Sequence, residues 1–230
     1  MGNLISSNLP IRVLIAEDFN LSAIGLAQTL GKASLRFSVL GIVRTITDLL
    51  NHESIKDTDL LIMDLCMPLT EGGESCFSHG LTCIQNLHNR FPKLKILVVS
   101  ATNIGAYVRS ALHFGASGFI CKGSANIEEN FQAYVVEAIL ATPQKPVLSE
   151  EFATQKVHTK NLSGLTDHEL AILLMRLQDS KPSDKEIAER LHVSPHTISN
   201  IVANARKKLN IKRVEDAKKI LQDLGLFDNH

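Results

Sequence analysis

Along residues 1–140, short apolar runs of strand length alternate with stretches whose apolar residues recur at helical spacing. The runs are Ile11–Ala16, Phe37–Val43, the stretch within Asp59–Pro68 whose polar end is Asp64, Lys95–Val99 and Gly118–Cys121. Between them, Leu21, Ile24, Leu26, Ala27 and Leu30 mark a helix closed by Gly31, and Ile46, Leu49 and Leu50 mark a second. Leu81, Ile84, Leu87 and His88 mark a third, ended by Phe91-Pro92, and Tyr107, Val108, Ala111 and Leu112 a fourth, capped by Gly115. Ile127–Leu140 closes the series. Five strands alternating with five helices require crossover connections, so the pattern predicts an α/β domain with a doubly wound, five-stranded parallel sheet.

The run Asp59-Leu60-Leu61-Ile62-Met63-Asp64-Leu65-Cys66-Met67-Pro68 has no polar face, as expected of a central strand buried on both sides. Its polar end is Asp64. Open parallel sheets bind ligands in the crevice beyond the carboxyl ends of their strands, which makes Asp64 a candidate for chemistry. A carboxylate that merely starts the turn before Pro68 is the alternative.

After residue 140 the apolar period is lost. Residues 141–162, with Pro143, Gln144, Lys145, Pro146, Thr159 and Lys160, read as a linker holding a short helix near Phe152. Residues 163–230 are patterned as helices only. Thr166-Asp167-His168-Glu169 and Ser183-Asp184-Lys185-Glu186 are capping boxes, the first before Leu170, Leu173, Leu174 and Leu177, the second before Ile187, Ala188 and Leu191. His192-Val193 makes a turn, and Ser194-Pro195 opens a helix with Ile198, Val202, Ala205 and Leu209 inward and His196, Ser199, Asn200, Ala203 and Lys207 outward. A final helix covers roughly Val214 to Leu224. Two short helices around a tight turn, the second polar outside and basic at its far end, form a helix-turn-helix within a smaller all-α four-helix domain.

Of the 230 residues 44% are hydrophobic and 21% charged, which excludes a disordered chain and supplies two cores. No apolar run is long enough for a membrane span, and no secretory leader is visible. Met1-Gly2-Asn3-Leu4-Ile5-Ser6 fits a myristoylation pattern short enough to match by chance. Net charge is zero, yet Arg206, Lys207, Lys208, Lys212, Arg213, Lys218 and Lys219 face only Glu215 and Asp216 between His196 and Lys219. That basic end is either a solvated helix face or a footprint for a phosphate backbone. Cys66, Cys76, Cys83 and Cys121 form no C-x-x-C pair and read as reduced thiols of a cytoplasmic protein.

Every strand that ends in a reactive residue does so on the same side of the sheet, so Glu17, Asp18, Asp64, Ser100 and Lys122 are expected in one crevice. Carboxylates held close together repel, and an oxygen-only cluster suits Mg²⁺. Lys122 offers a point charge and Ser100 a hydroxyl, both suited to a phosphoryl oxygen.

The acidic pair Glu17-Asp18, the motif Asp64-Leu65-Cys66-Met67-Pro68, Ser100-Ala101, and Gly115-Ala116-Ser117-Gly118-Phe119 followed by Lys122 resemble the receiver domain of bacterial two-component response regulators, a flavodoxin-like fold. The resemblance implies that Asp64 accepts a phosphoryl group from a sensor histidine kinase or a phosphotransfer protein. It implies Mg²⁺ held by Asp18, Asp64 and the backbone carbonyl of Cys66, with Glu17 contacting it through water. Ser100 and Lys122 would bind the new phosphoryl group, and Phe119 would turn as Ser100 moves. One departure is the stretch Leu69–His79, longer than usual before Gly80-Leu81, which overhangs Asp64 and is expected to slow access to it. Its Cys76 and His79, with Cys66 and Cys83 nearby, leave a metal or redox sensor as an alternative.

Leu165-Thr166, Glu169, Lys185-Glu186-Ile187-Ala188, Leu191, Val193-Ser194, His196-Thr197-Ile198 and Lys208-Leu209-Asn210-Ile211 resemble the DNA-binding domain of the LuxR/FixJ/NarL type. That resemblance places Ser194–Leu209 in the major groove of double-stranded DNA, with Lys185, Thr197 and Lys207 on phosphates and Ser199 and Asn200 at base edges. His196, Ala203 and Lys208 complete the expected DNA-facing set. The family commonly has Lys where this chain has Ser199 and often His where it has Ile201, so fewer charges should weaken affinity and flatten its salt dependence. The expected whole is a cytoplasmic response regulator that binds DNA as a homodimer under control of phosphorylation, not an enzyme. A receiver-fold protein working through protein–protein contacts without phosphorylation is the alternative. A true phosphotransfer enzyme is excluded by the lack of a glycine-rich phosphate loop.

Overall fold

The computed structural model describes residues 9–32, 36–154, 164–177, 181–191 and 193–223. The Met1–Ser6 pattern, Thr159, Lys160, His192 and Leu224 lie outside them. Contacts divide the chain into two units, one of residues up to 101 together with 114–151, the other of residues 102–113 together with those from 152 onward.

The first unit is built on the expected alternation: β1 (Ile11–Ala16), α1 (Asn20–Gly31), β2 (Phe37–Val43), α2 (Ile46–Asn51), a 3₁₀ turn (Glu53–Asp57) and β3 (Leu60–Met63). A small hairpin follows, β4 (Met67–Pro68) against β5 (Ser75–Cys76), and then α3 (Phe77–Arg90) and β6 (Lys95–Ser100). After α4 (Gly105–His113) come β7 (Gly118–Cys121), α5 (Ile127–Leu140) and β8 (Val147–Leu148). The sheet is parallel with strand order β2-β1-β3-β6-β7-β8, which puts β3 in the interior with β1 and β6 as its neighbours. All four residues of β3 are fully buried, as its unbroken apolar run requires. One sheet face, with Val13, Ile15, Ile62, Leu97 and Val99, packs with Leu30 of α1 and Phe131, Val135 and Ala138 of α5.

The sheet has six strands where the sequence pattern predicts five. Val147 and Leu148 lie in the expected linker, yet they pair with Gly118 and Phe119 of β7. A two-residue strand has no period to read, and its partner is the free edge of β7, which only the folded sheet supplies. Gly118 permits the pairing, because a Cβ there would stand 2.7 Å from the Val147 carbonyl oxygen. The buried Ser149 then ties the linker start to β7: its backbone N–H donates to the Phe119 carbonyl at 3.2 Å, and its Oγ accepts from the Cys121 N–H at 3.2 Å. The helix expected near Phe152 is α6 (Glu150–Thr154).

The second unit is helical: α4, α6, α7 (Asp167–Arg176), α8 (Asp184–Leu191), α9 (Pro195–Leu209) and α10 (Asp216–Asp223). Both capping boxes form. The Glu169 N–H donates to Thr166 Oγ1 at 3.2 Å while Glu169 Oε2 accepts the Thr166 N–H at 2.7 Å, and Ser183 and Glu186 repeat the exchange. Ser194 caps α9, with Pro195 in its first turn and Asn210 in the left-handed conformation (φ 54°) at its end. Leu191, Ile198, Val202, Ala205, Ala217 and Leu221 are buried, as the helical period predicts.

Gly80, in the first turn of α3, is the tightest of the close approaches around Asp64. A Cβ there would lie 2.1 Å from the carbonyl oxygen of Leu65. We therefore expect Gly80→Ala to displace the Leu65–Met67 segment and to lower unfolding stability by about 1–3 kcal/mol, measured by urea denaturation.

Candidate functional site

Glu17 and Asp18 directly follow β1, Asp64 follows β3 and Lys122 follows β7, while Ser100 is the last residue of β6. Parallel pairing of β1, β3, β6 and β7 brings these ends to one rim. The Lys122 ammonium donates to Glu17 Oε2 at 2.6 Å and to Asp64 Oδ2 at 2.7 Å. Glu17 is 1% exposed, and its other contacts hold it still: Oε1 accepts the Phe19 N–H at 3.2 Å and Oε2 accepts the Ser22 hydroxyl at 2.8 Å. Asp64 Oδ1 accepts the Cys66 N–H at 3.1 Å. Burial works against the Lys122 charge, but the two carboxylates outweigh it and raise its pKa. Burial, helped by the charges of Asp64, Cys76 and Asp18, pushes the Cys66 thiol up to about 12, so it stays protonated.

Glu17, Asp18 and Asp64 each place an oxygen within 4.8 Å of the others. The donor set is all oxygen, which fits a hard divalent cation such as Mg²⁺. Asp18 Oδ2 accepts the Ser75 hydroxyl at 2.9 Å, while among the described residues Oδ1 accepts no hydrogen bond and is left for the ion. The Ser100 hydroxyl is buried without a partner, and its backbone carbonyl accepts the Lys122 N–H at 2.8 Å. Leaving such a hydroxyl unsatisfied costs about 1–3 kcal/mol, which a new acceptor nearby would recover. Phe119 is fully buried in β7.

The Leu69–His79 stretch is anchored at both ends. The Leu69 carbonyl accepts the Thr47 N–H at 3.0 Å, and the His79 ring contacts the Met67 carbonyl at 3.2 Å. Among the described residues the acidic triple is the metal-ligating cluster, and neither Cys76 nor His79 joins one. All four cysteines are free thiols. Sequence reasoning missed Ser22 and Ser75. Ser22 follows Glu17 closely enough to have been a candidate, whereas nothing in the pattern ties Ser75 to Asp18.

In the second unit, Lys185, His196, Thr197, Ser199, Asn200, Ala203, Lys207 and Lys208 are all exposed. Several are already engaged. The Ser199 hydroxyl donates to Asp184 at 2.7 Å, Lys208 pairs with the buried Glu169 at 2.7 Å, and Thr197 shares a hydrogen bond with Ser194 at 2.8 Å. Asn204, absent from the expected set, is exposed on the same helix one turn beyond Asn200. Burial opposes the Glu169 charge, yet Lys208 and the Thr166 cap outweigh it and hold its carboxyl below the usual 4.5.

Two family descriptions match the chain: the response regulator receiver domain over residues 13–130, and the bacterial regulatory proteins of the luxR family over residues 163–220. The transcriptional regulatory protein LnrK of Bacillus subtilis is 24% identical over 213 residues, covering 88% of this chain and 92% of that protein. The nitrate/nitrite response regulator protein NarL of Escherichia coli is 26% identical over 224 residues, covering 95% and 99%. The structure of RcsB from Salmonella enterica serovar Typhimurium bound to promoter rprA with phosphomimetic BeF3⁻ is similar in fold, with TM-score 0.61 at 24% identity, covering 90% of this chain and 98% of that one.

Because the Glu169 carboxyl is depressed, the stability it contributes is present above pH 4.5 and is lost as pH falls through its lower folded value. Lys208→Met is expected to reduce stability by about 0.5–1 kcal/mol at neutral pH. The difference from wild type should vanish as acid protonates Glu169, measured by denaturant unfolding along a pH series.

Proposed function

Since the chain belongs to the response regulators, joining a receiver domain to a luxR-family helix-turn-helix DNA-binding domain, we propose that phosphorylation of Asp64 controls its binding to DNA. The observation that carries this is the Lys122 ammonium held between Glu17 and Asp64, beside a buried Ser100 hydroxyl that has no acceptor of its own. An Asp64 oxygen attacks the phosphorus of a phosphohistidine on a sensor kinase or phosphotransfer protein. The O–P bond forms as the P–N bond breaks, and the imidazole leaves. Asp18, Asp64 and the Cys66 carbonyl would hold Mg²⁺, with Glu17 reaching it through water; the ion's chemistry there is to neutralise charge on the phosphoryl oxygens.

The protein's own groups convert that event into a change of shape. The acyl phosphate offers Lys122 a further charged acceptor and gives the Ser100 hydroxyl the acceptor it lacks. Ser100 moving toward it frees volume into which Phe119 turns, altering the carboxyl end of β7. The changed surface favours a homodimer, which sets two α9 helices on half-sites about one turn of DNA apart. Lys185, Thr197 and Lys207 contact phosphates, and His196, Asn200, Ala203 and Asn204 face the groove. With Ser199 committed to Asp184 and Lys208 to Glu169, the groove face carries less charge than the family resemblance implies, so binding relies on pairing two copies. The described residues hold no helix long and apolar enough to cross a membrane, and the reading puts the protein in the cytoplasm.

Labelling with radioactive acetyl phosphate in Mg²⁺ should mark the wild type and leave Asp64→Asn unmarked. A wild type that takes no label overturns the phosphorylation reading. In titrations of duplex DNA against salt, the phosphorylated protein should show a log–log slope of about −3.6, the value for two cations on each of two half-sites. A slope near zero would remove the backbone contacts from the account.

A further inference from the structure

The hairpin β4–β5 brings one more side chain to the acidic rim. Pro68 pairs with Ser75 and Met67 with Cys76, so the backbone at Ser75 is tied directly to the segment that follows Asp64. From there the Ser75 hydroxyl donates to Asp18 Oδ2 at 2.9 Å. Among the described residues no other hydrogen bond reaches the Asp18 carboxylate, and Asp18 is also the member of the acidic triple that Lys122 does not touch. Glu17 is held by Phe19, Ser22 and Lys122, and Asp64 by Cys66 and Lys122. Each carboxylate of the triple is thus pinned, and for Asp18 the pin comes from the extended stretch between Leu69 and His79.

We propose that Ser75 is a positioning residue for divalent-cation binding: its hydroxyl fixes the Asp18 carboxylate through Oδ2 and keeps Oδ1 available to the ion. An unrestrained Asp at the mouth of a site spends its time among several rotamers, and ordering it on binding costs affinity. Hydrogen bonds to a ligating carboxylate remove that cost in advance, and their loss lowers metal affinity by roughly 10- to 100-fold in buried sites. Ser75 is exposed, so the effect here is at the lower edge of that range. The inference rests on the Mg²⁺ site of the proposed function and assigns to the Leu69–His79 stretch a part in ion binding beyond covering the site.

Isothermal titration of the full-length protein with MgCl₂ tests it, using wild type, Ser75→Ala, Ser75→Thr and Asp18→Asn. Ser75→Ala should bind Mg²⁺ about tenfold more weakly, Ser75→Thr within about twofold of wild type, and Asp18→Asn far more weakly than either. Thermal unfolding without Mg²⁺ should be unchanged for Ser75→Ala, because the residue is exposed, which separates a positioning effect from loss of structure. If Ser75→Ala binds Mg²⁺ as wild type does while Asp18→Asn fails, Ser75 has no such role and the metal site stands. If wild type and Asp18→Asn bind alike, the metal site itself is wrong and the role of Ser75 falls with it.

Discussion

The Lys122 ammonium between the carboxylates of Glu17 and Asp64 is the constraint on which the rest of the first unit depends. Two acids at the buried ends of adjacent strands repel each other, and taking them out of water is costly. A cation from a third strand makes the arrangement tolerable, and its own pKa rises in response. Whatever binds at this rim has to compete with, or recruit, that ammonium. Under the proposed function a phosphoryl group on Asp64 would recruit it, adding charged acceptors beside the carboxylate oxygens. The ion pair is therefore both a structural clamp and the part of the site most sensitive to added charge.

Around this clamp the chain has set close backbone approaches. Gly80 lets α3 start against the Leu65 carbonyl, and the Cys66 N–H holds Asp64 from the other side. The linker begins as β8 on the free edge of β7, so Lys122 sits on a strand bonded to the chain's path toward the helical unit. Ser124 donates to Glu151 at 2.5 Å and extends that connection to the loop following Lys122. A shift at the rim that carries Asp64 and Lys122 and a shift at Val147–Leu148 are thus mechanically adjacent within the same sheet.

In the helical unit, charges that a linear reading assigns to DNA serve partly to hold the fold. Lys208 pairs with the buried Glu169 of a capping box, and the Ser199 hydroxyl donates to one oxygen of Asp184 at the start of α8. Both remain on the surface that would meet a duplex. The exposed polar face of α9 is consequently long in amides and hydroxyls, from His196 through Asn200 and Asn204, and short in free cations. In the proposed complex such a face would read base edges better than it grips a backbone.

Periodicity alone determined the alternation of strands and helices, the strand ends carrying Glu17, Asp18, Asp64 and Lys122, the capping boxes and the turn before α9. Each is a local matter: side chains of one period must share one face, and a cap needs its donor and acceptor within one turn. What only the tertiary structure decided concerns groups distant in the chain. The sixth strand needed the open edge of β7, and the Ser75 contact with Asp18 spans 57 positions and depends on how one loop folds back. The commitments of Lys208 to Glu169 and Ser199 to Asp184 were equally invisible, because a charged or hydroxylated side chain on a helix face looks the same in sequence whether it meets solvent, a nucleic acid or a neighbouring helix.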